Sequence, residues 1–169
     1  MRFLPELEGV RALAALAVVV THVSFQTATG WAWAERLDYG VAVFFVLSGF
    51  LITSLLLRES VKTGGISIAD FYARRARRLL PAASVVLIVT ALLGWALLPG
   101  PDRLNLGADV IAATFYVINW ALALRSVDYL AEDAAPSALQ HYWSLSVEEQ
   151  FYVVWPLLII LGLVLARRT

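Results

Sequence analysis

The sequence predicts an all-α integral membrane protein, a polytopic bundle of about five hydrophobic segments. Its 169 residues are 60% hydrophobic and 15% charged, with a mean hydropathy of +0.76, whereas about a quarter of the residues in a soluble domain are charged. Apolar runs approach the ~20 residues that a spanning helix needs, and the chain length allows roughly five of them. We therefore treat the lipid bilayer as the first partner of this chain.

Charge and cysteine usage exclude several other classes. The formal net charge is zero, so no basic surface for nucleic acid is expected. The chain has no cysteine, which rules out disulfides, thiolate catalysis and cysteine-ligated zinc. We expect neither a metal site nor a nucleic-acid partner.

Apolar runs and helix breakers set the order of the segments. The third ends at Pro99-Gly100-Pro101, a strong breaker. The fourth contains Asn105, Asp109 and Asn119, so it is either a helix with a polar face or an element that enters the membrane without crossing it. The five predicted segments are Leu7 to Phe25, Gly40 to Leu57, Leu79 to Leu98, Leu104 to Leu124 and Trp143 to Ala166.

The distribution of basic residues predicts the orientation. Six of the thirteen basic residues lie between Arg58 and Arg78, and the positive-inside rule makes this connection, and hence the N-terminus, cytoplasmic. Five full crossings would then place Arg167 and Arg168 outside, against the same rule. A fourth segment that returns without crossing would restore agreement, so the topology after Pro101 stays open at this point.

The first segment carries two polar groups in an apolar run. Arg11 and His22 are eleven residues apart, which places them within about 20° on one helix face and roughly 16 Å apart along the axis. Arg11 could be an anchor at the membrane boundary, paired with Glu8, and His22 could make an interhelical hydrogen bond. Alternatively, His22 is a general base, because a neutral imidazole accepts a proton near neutral pH.

The stretch Phe71 to Arg78 concentrates four arginines beside a membrane entry. They could simply set topology and contact lipid headgroups. Alternatively they bind phosphate, since the planar guanidinium forks bind phosphate oxygens in pairs. The residues concerned are Arg74, Arg75, Arg77 and Arg78.

Two further stretches contain polar side chains in apolar surroundings. Phe44 to Phe50 includes Ser48 beside a glycine and could be an ordinary close-packed span. In His141 to Pro156, a helix aligns Ser144, Glu148 and Tyr152, with Glu149 pointing about 100° away from Glu148. Glu148 is a functional candidate because an acid entering an apolar helix is costly, although a solvated surface turn would also explain the pair.

Together these stretches resemble the acyltransferase-3 family of membrane acyltransferases. The matching pieces are EGVRALAALAVVVTH, GVAVFFVLSGFLI, FYARRARRLLPA and HYWSLSVEEQFYVVWP, in this order and spacing, from residue 6 to residue 156. The resemblance implies a bundle of about ten helices, of which this chain has room for half. It also implies transfer of an acyl group, expected to be acetyl, from acyl-CoA to a hydroxyl of a surface glycan or lipid-linked sugar.

The resemblance implies a role for each matching residue. His22 would activate the acceptor hydroxyl, with Arg11 and Glu148 as the other catalytic residues. CoA phosphates would be held by Arg74 with Arg77 or by Arg75 with Arg78. The supporting residues are Ser48, Ser144, Ser146 and Tyr152.

The sequence departs from the family pattern in two residues and in length. Ala42 stands where many members have an acid, and Glu8 where they have aspartate. Residues 1–169 are expected to form one acyltransferase-3-like membrane domain that stops short at its C-terminus. Three alternatives stay open: an acyltransferase completed by a second chain or by homo-oligomerisation in the cell membrane, a non-enzymatic interaction or transporter-like protein, and an inactive fragment.

Overall fold

The computed structural model describes residues 5–27, 36–127 and 136–166. Within these ranges the chain forms α-helices and one short 3-10 helix, Arg36–Tyr39, and no strand. The predicted all-helical class is confirmed. The helices are α1 Pro5–Gln26, α2 Gly40–Thr63, α3 Ile68–Leu97, α4 Gly100–Thr114, α5 Ile118–Ser126 and α6 Tyr142–Ala166.

Three of these helices, α2, α3 and α6, are long and apolar enough to cross a membrane. The apolar part of α1, Gly9–Ser24, is shorter. Many large apolar side chains remain exposed, among them Val85 (61%) and Leu92 (63%) on α3. Exposed apolar surface on this scale marks contact with lipid or with further protein, so the chain is a multi-pass membrane protein.

The chain divides into two compact units, Met1–Gly64 and Gly65–Thr169, which we describe separately. In the first unit, α1 packs against the start of α2 at Gly40. A Cβ atom at Gly40 would lie 2.7 Å from the Ala14 carbonyl oxygen and 2.9 Å from Val18 Cγ2. The missing side chain therefore permits this close helix contact, which is typical of membrane bundles.

We expect Gly40→Ala to destabilise the first unit by about 1–3 kcal/mol, the usual range for overpacking. The added methyl group would press on a backbone oxygen of α1, which cannot rotate away. Gly9→Ala is the matched control, because nothing lies within 4 Å of a Cβ atom there. Thermal unfolding in detergent measures both, and equal melting temperatures for the two variants would contradict this packing.

The basic connection between α2 and α3 is mostly helical, which corrects the prediction of a loop from Arg58 to Arg78. Helix α2 continues to Thr63 and ends at Gly64, whose φ of +80° is left-handed. Helix α3 begins after Ser67, whose hydroxyl accepts a hydrogen bond from the Asp70 N–H. The cap fixes the start of α3, so the arginines lie on regular helical turns.

The predicted fourth segment is two helices, not one. Leu98 is extended before Pro99, α4 begins at Gly100, and Tyr116 adopts a φ of +54° between α4 and α5. Arg125, near the end of α5, pairs with Asp109 on α4. The segment thus folds back on itself between α4 and α5.

An apolar cluster joins these short helices to α3 in the second unit. The cluster includes Ile118, which is fully buried, and Leu139, which lies just before α6. It stabilises the fold where α4 and α5 meet, since a helix of nine residues does not persist alone. Its members are Leu87, Leu106, Ala113, Ile118 and Leu139.

Candidate active site

The imidazole of His22 has a defined tautomer. Its Nδ1 lies 2.7 Å from the Val18 carbonyl oxygen, one turn earlier on α1. A carbonyl only accepts hydrogen bonds, so Nδ1 carries the proton in the neutral ring and Nε2 carries the lone pair. This contact fixes the orientation of the half-buried ring on α1.

Arg11 and His22 lie on one uninterrupted helix, as their spacing predicts. Both side chains are half-buried. Thr21, beside His22, is buried and its hydroxyl donates to the Ala17 carbonyl at 3.1 Å. Ser24 is also buried, so the C-terminal half of α1 has a polar face within an apolar helix.

In the second unit, α3 and α6 are joined by the pair Arg75–Glu149. The Arg75 guanidinium donates through Nε to Glu149 Oε2 at 3.2 Å and through Nη2 to Glu149 Oε1 at 2.7 Å. Only 19% and 16% of the two side chains are exposed. This bidentate geometry is the strong form of the arginine–carboxylate contact, and it holds the two helices in register.

Two tyrosines extend this contact along the same helices. The Tyr72 hydroxyl on α3 donates to the main-chain oxygens of Tyr152 and Val153. The Arg75 guanidinium lies over the ring of Tyr152, a cation–π arrangement. We call Tyr72, Arg75, Glu148, Glu149 and Tyr152 the α3–α6 cluster.

Glu148 also belongs to the α3–α6 cluster, but its contacts differ from those of Glu149. It accepts a short hydrogen bond from the hydroxyl of Tyr152, with which the helix aligns it, and lies 3.9 Å from Arg75 Nη2. Glu149, which lies about 100° from Glu148 on the helix, is the main partner of Arg75. The long Arg75 side chain lies close enough to both carboxylates to contact each of them, although the two acids point in different directions on the helix.

The other arginines of the predicted phosphate motif are exposed. Arg74, Arg77 and Arg78 lie at i, i+3 and i+4 of α3, and such positions share a helix face. Arg77 Nε donates to the Ala73 carbonyl at 3.2 Å. Three guanidinium groups thus cover one surface, while Arg75 is turned into the α3–α6 cluster.

The bend between α4 and α5 is tied to α6 by Gln150. Its amide nitrogen donates to the Tyr116 carbonyl at 2.7 Å and to the Asn119 side chain at 2.9 Å. These two bonds hold the bend against α6.

The serines predicted to support the site differ in burial and in hydrogen bonding. Ser144 donates to the His141 carbonyl at 3.2 Å, and Ser48 is half-buried on α2. Ser146 is fully buried, and its hydroxyl oxygen has no hydrogen-bond partner among the described residues. A buried hydroxyl without a hydrogen-bond partner costs free energy. Among the three serines predicted to support the site, Ser146 is the one whose hydroxyl is unsatisfied among the described residues.

The fold defines a polytopic membrane protein, with a half-buried histidine in its first unit and an exposed arginine face in its second. A family model described as "Acyltransferase domain" matches residues 4–168. The chain belongs to this family, the acyltransferase-3 family, as its motifs predict. No solved structure matches the chain.

Relatives of the chain are named as O-acetyltransferases. It is 40% identical over 156 residues to the peptidoglycan O-acetyltransferase OatA of Listeria monocytogenes, covering 92% of this chain and 24% of that protein. It is 38% identical over 167 residues to a Bacillus subtilis protein named "Putative peptidoglycan O-acetyltransferase YrhL", covering 98% and 25%. The chain spans about a quarter of the length of these relatives.

Proposed function

We propose that this chain provides the motif-bearing part of a membrane O-acyltransferase that moves an acetyl group from acetyl-CoA to a hydroxyl of a surface carbohydrate. The single observation that carries the proposal is the orientation of His22 through its Nδ1–H bond to Val18. Membership of the acyltransferase-3 family supports the reaction class, and the names of the relatives support peptidoglycan as the acceptor.

In the proposed reaction, His22 Nε2 takes the proton of the acceptor hydroxyl as its oxygen attacks the thioester carbonyl. A carbon–oxygen bond forms, the carbon–sulfur bond breaks, and the proton passes from the imidazolium to the CoA thiolate. Acid–base catalysis of this kind contributes about 10²–10⁴-fold. Arg11 and Glu148 orient the reacting groups, and the reaction needs no metal.

In this proposal, the exposed arginine face of α3 binds the phosphates of the acyl-CoA donor. Arg74 with Arg77 is the better pair of the two that the motif allows, and Arg78 adds a third guanidinium group. Their exposure on neighbouring turns of α3 supports this choice, as does the engagement of Arg75 by Glu149. Arg75 then acts as a positioning residue that holds α3 against α6.

We propose a cytoplasmic N-terminus and location in the cell membrane. The basic residues from Arg58 to Arg78 then face the cytoplasm, where acyl-CoA is made. The return of α4 and α5 supports this orientation, because it leaves Arg167 and Arg168, which lie outside the described residues, on the cytoplasmic side. A second chain or another copy completes the bundle if the protein is no longer than this chain.

The proposal is tested by transfer of label from tritiated acetyl-CoA in membranes that contain the protein as its gene encodes it. We expect label to enter a carbohydrate fraction and to be released by mild alkali, as an O-ester would be. Membranes from cells that lack the gene are the control. Equal labelling in both membranes would overturn the proposed function and favour an interaction or transporter-like role.

We expect the triple variant Arg74→Lys, Arg77→Lys and Arg78→Lys to weaken CoA binding by about tenfold or more. Lysine retains the charge but loses the planar fork, and tenfold corresponds to ~1.4 kcal/mol. Binding of CoA to the purified protein, measured by equilibrium dialysis, checks this expectation.

Arg58→Lys is the matched control for this triple variant. Arg58 is an exposed arginine of the same basic region, but it lies on α2 outside the Arg74 to Arg78 motif. CoA affinity in the control should equal that of the wild type. If the triple variant also binds CoA as tightly as the wild type, the three arginines do not bind CoA and act only as membrane anchors.

A further inference from the structure

A pocket of about 950 Å³ opens between α4, α5 and the segment that leads into α6. Its volume is at the upper end of the range for small-molecule sites. Its wall combines amides, charged groups and an aromatic ring, and Trp143 keeps 38% of its surface exposed. The side chains that matter here are Asn105, Asp109, Asn119, Arg125, Gln140 and Trp143.

One wall of the pocket is held by the buried carboxylate of Asp109, which is 2% exposed. It accepts hydrogen bonds from the Arg125 guanidinium and from the Ser137 hydroxyl at 2.5 Å. These contacts bind α4, α5 and the segment before α6 together. The pocket is therefore a built feature of the second unit, in which polar groups are preorganised before a ligand arrives.

The charge of the pocket does not suit a polyphosphate. Arg125 is neutralised by Asp109, and Asp102 adds a further acid to the lining. The pocket also lies near Leu98, past the end of α3, about 30 Å along that helix from Arg78. It is thus separate from the exposed arginine face that we assign to the CoA phosphates.

The chemistry of the lining fits a sugar instead. Sugar hydroxyls both donate and accept hydrogen bonds, and the asparagine and glutamine amides match them because each amide offers both. The apolar face of a pyranose ring packs on an indole ring, which supplies contact area at little entropic cost. We propose that this pocket binds a sugar unit of the acceptor glycan, an assignment that rests on the proposed function.

The test is direct binding of a tritiated N-acetylglucosamine tetrasaccharide to the purified full-length protein in lipid nanodiscs, by equilibrium dialysis without acyl-CoA. We expect saturable binding to the wild type and at least a tenfold higher Kd for Trp143→Ala and for Asn105→Ala. Trp95→Ala is the matched control, because Trp95 is a more exposed tryptophan, at 70%, outside the pocket. Thermal unfolding identifies variants that fail to fold, and Trp143→Phe then replaces Trp143→Ala.

Each outcome decides the proposal. No saturable binding to the wild type, or one Kd for Trp143→Ala and Trp95→Ala, overturns the sugar pocket. The dialysis contains no acyl-CoA, so it is independent of catalysis. Binding that depends on Trp143 in a protein without transfer activity would refute the proposed function alone, whereas transfer with an unchanged acceptor KM in Trp143→Ala would refute the pocket alone.

Discussion

Replacing His22 by glutamine is expected to lower the rate of acetyl transfer by about 10²–10⁴-fold, the usual contribution of a general base. Glutamine can keep a hydrogen bond from its amide to the Val18 carbonyl, so α1 should fold as before. It has no basic nitrogen to replace Nε2. The rate of label transfer from tritiated acetyl-CoA at saturating donor and acceptor measures the loss.

His141→Gln is the matched control, because His141 is the other histidine of the chain and is exposed at the start of α6. Its transfer rate should stay within about twofold of the wild type. CoA affinity should be unchanged in both variants, since neither residue belongs to the arginine face. A fully active His22→Gln protein would exclude His22 as the base and leave it a structural residue of α1.

The three long apolar helices α2, α3 and α6 could be predicted because long apolar runs indicate contact with lipid directly. The predicted segment from Gly40 to Leu57 is six residues shorter than α2, since charged residues continue a helix beyond the membrane without leaving a hydropathy signal. The same reason explains the missed start of α3 at Ile68. Hydropathy reports which residues meet lipid, whereas backbone hydrogen bonds and caps decide where a helix ends.

Pairing between distant residues was beyond the reach of the sequence alone. Asp109 is recognisable as a polar residue in an apolar segment, but its partner Arg125 is sixteen residues away across a bend. The bend itself depends on Tyr116 in a left-handed conformation, which a tyrosine seldom adopts. The acid itself is a sequence signal that a cation is needed, because a buried carboxylate is costly without one, but this signal does not identify Arg125 as that cation.

Two adjacent acids of the α3–α6 cluster differ in their contacts with Arg75, and we expect their variants to separate stability from catalysis. We expect Glu149→Ala to destabilise the protein by about 3 kcal/mol, the low end for breaking a buried pair, because about a fifth of the Arg75 side chain remains exposed. The loss arises from a guanidinium left without its bidentate partner. Thermal unfolding in detergent measures it.

The double variant Arg75→Met with Glu149→Leu should recover most of that stability, since replacing both members of such a pair by apolar residues is often neutral. Glu148→Gln should melt close to the wild type but lose transfer activity, because Glu148 meets Arg75 only at 3.9 Å and is the acid proposed to orient reacting groups. If Glu148→Gln destabilised the protein as strongly as Glu149→Ala, the two acids would form one structural unit. The proposed division between a positioning acid and a catalytic acid would then be wrong.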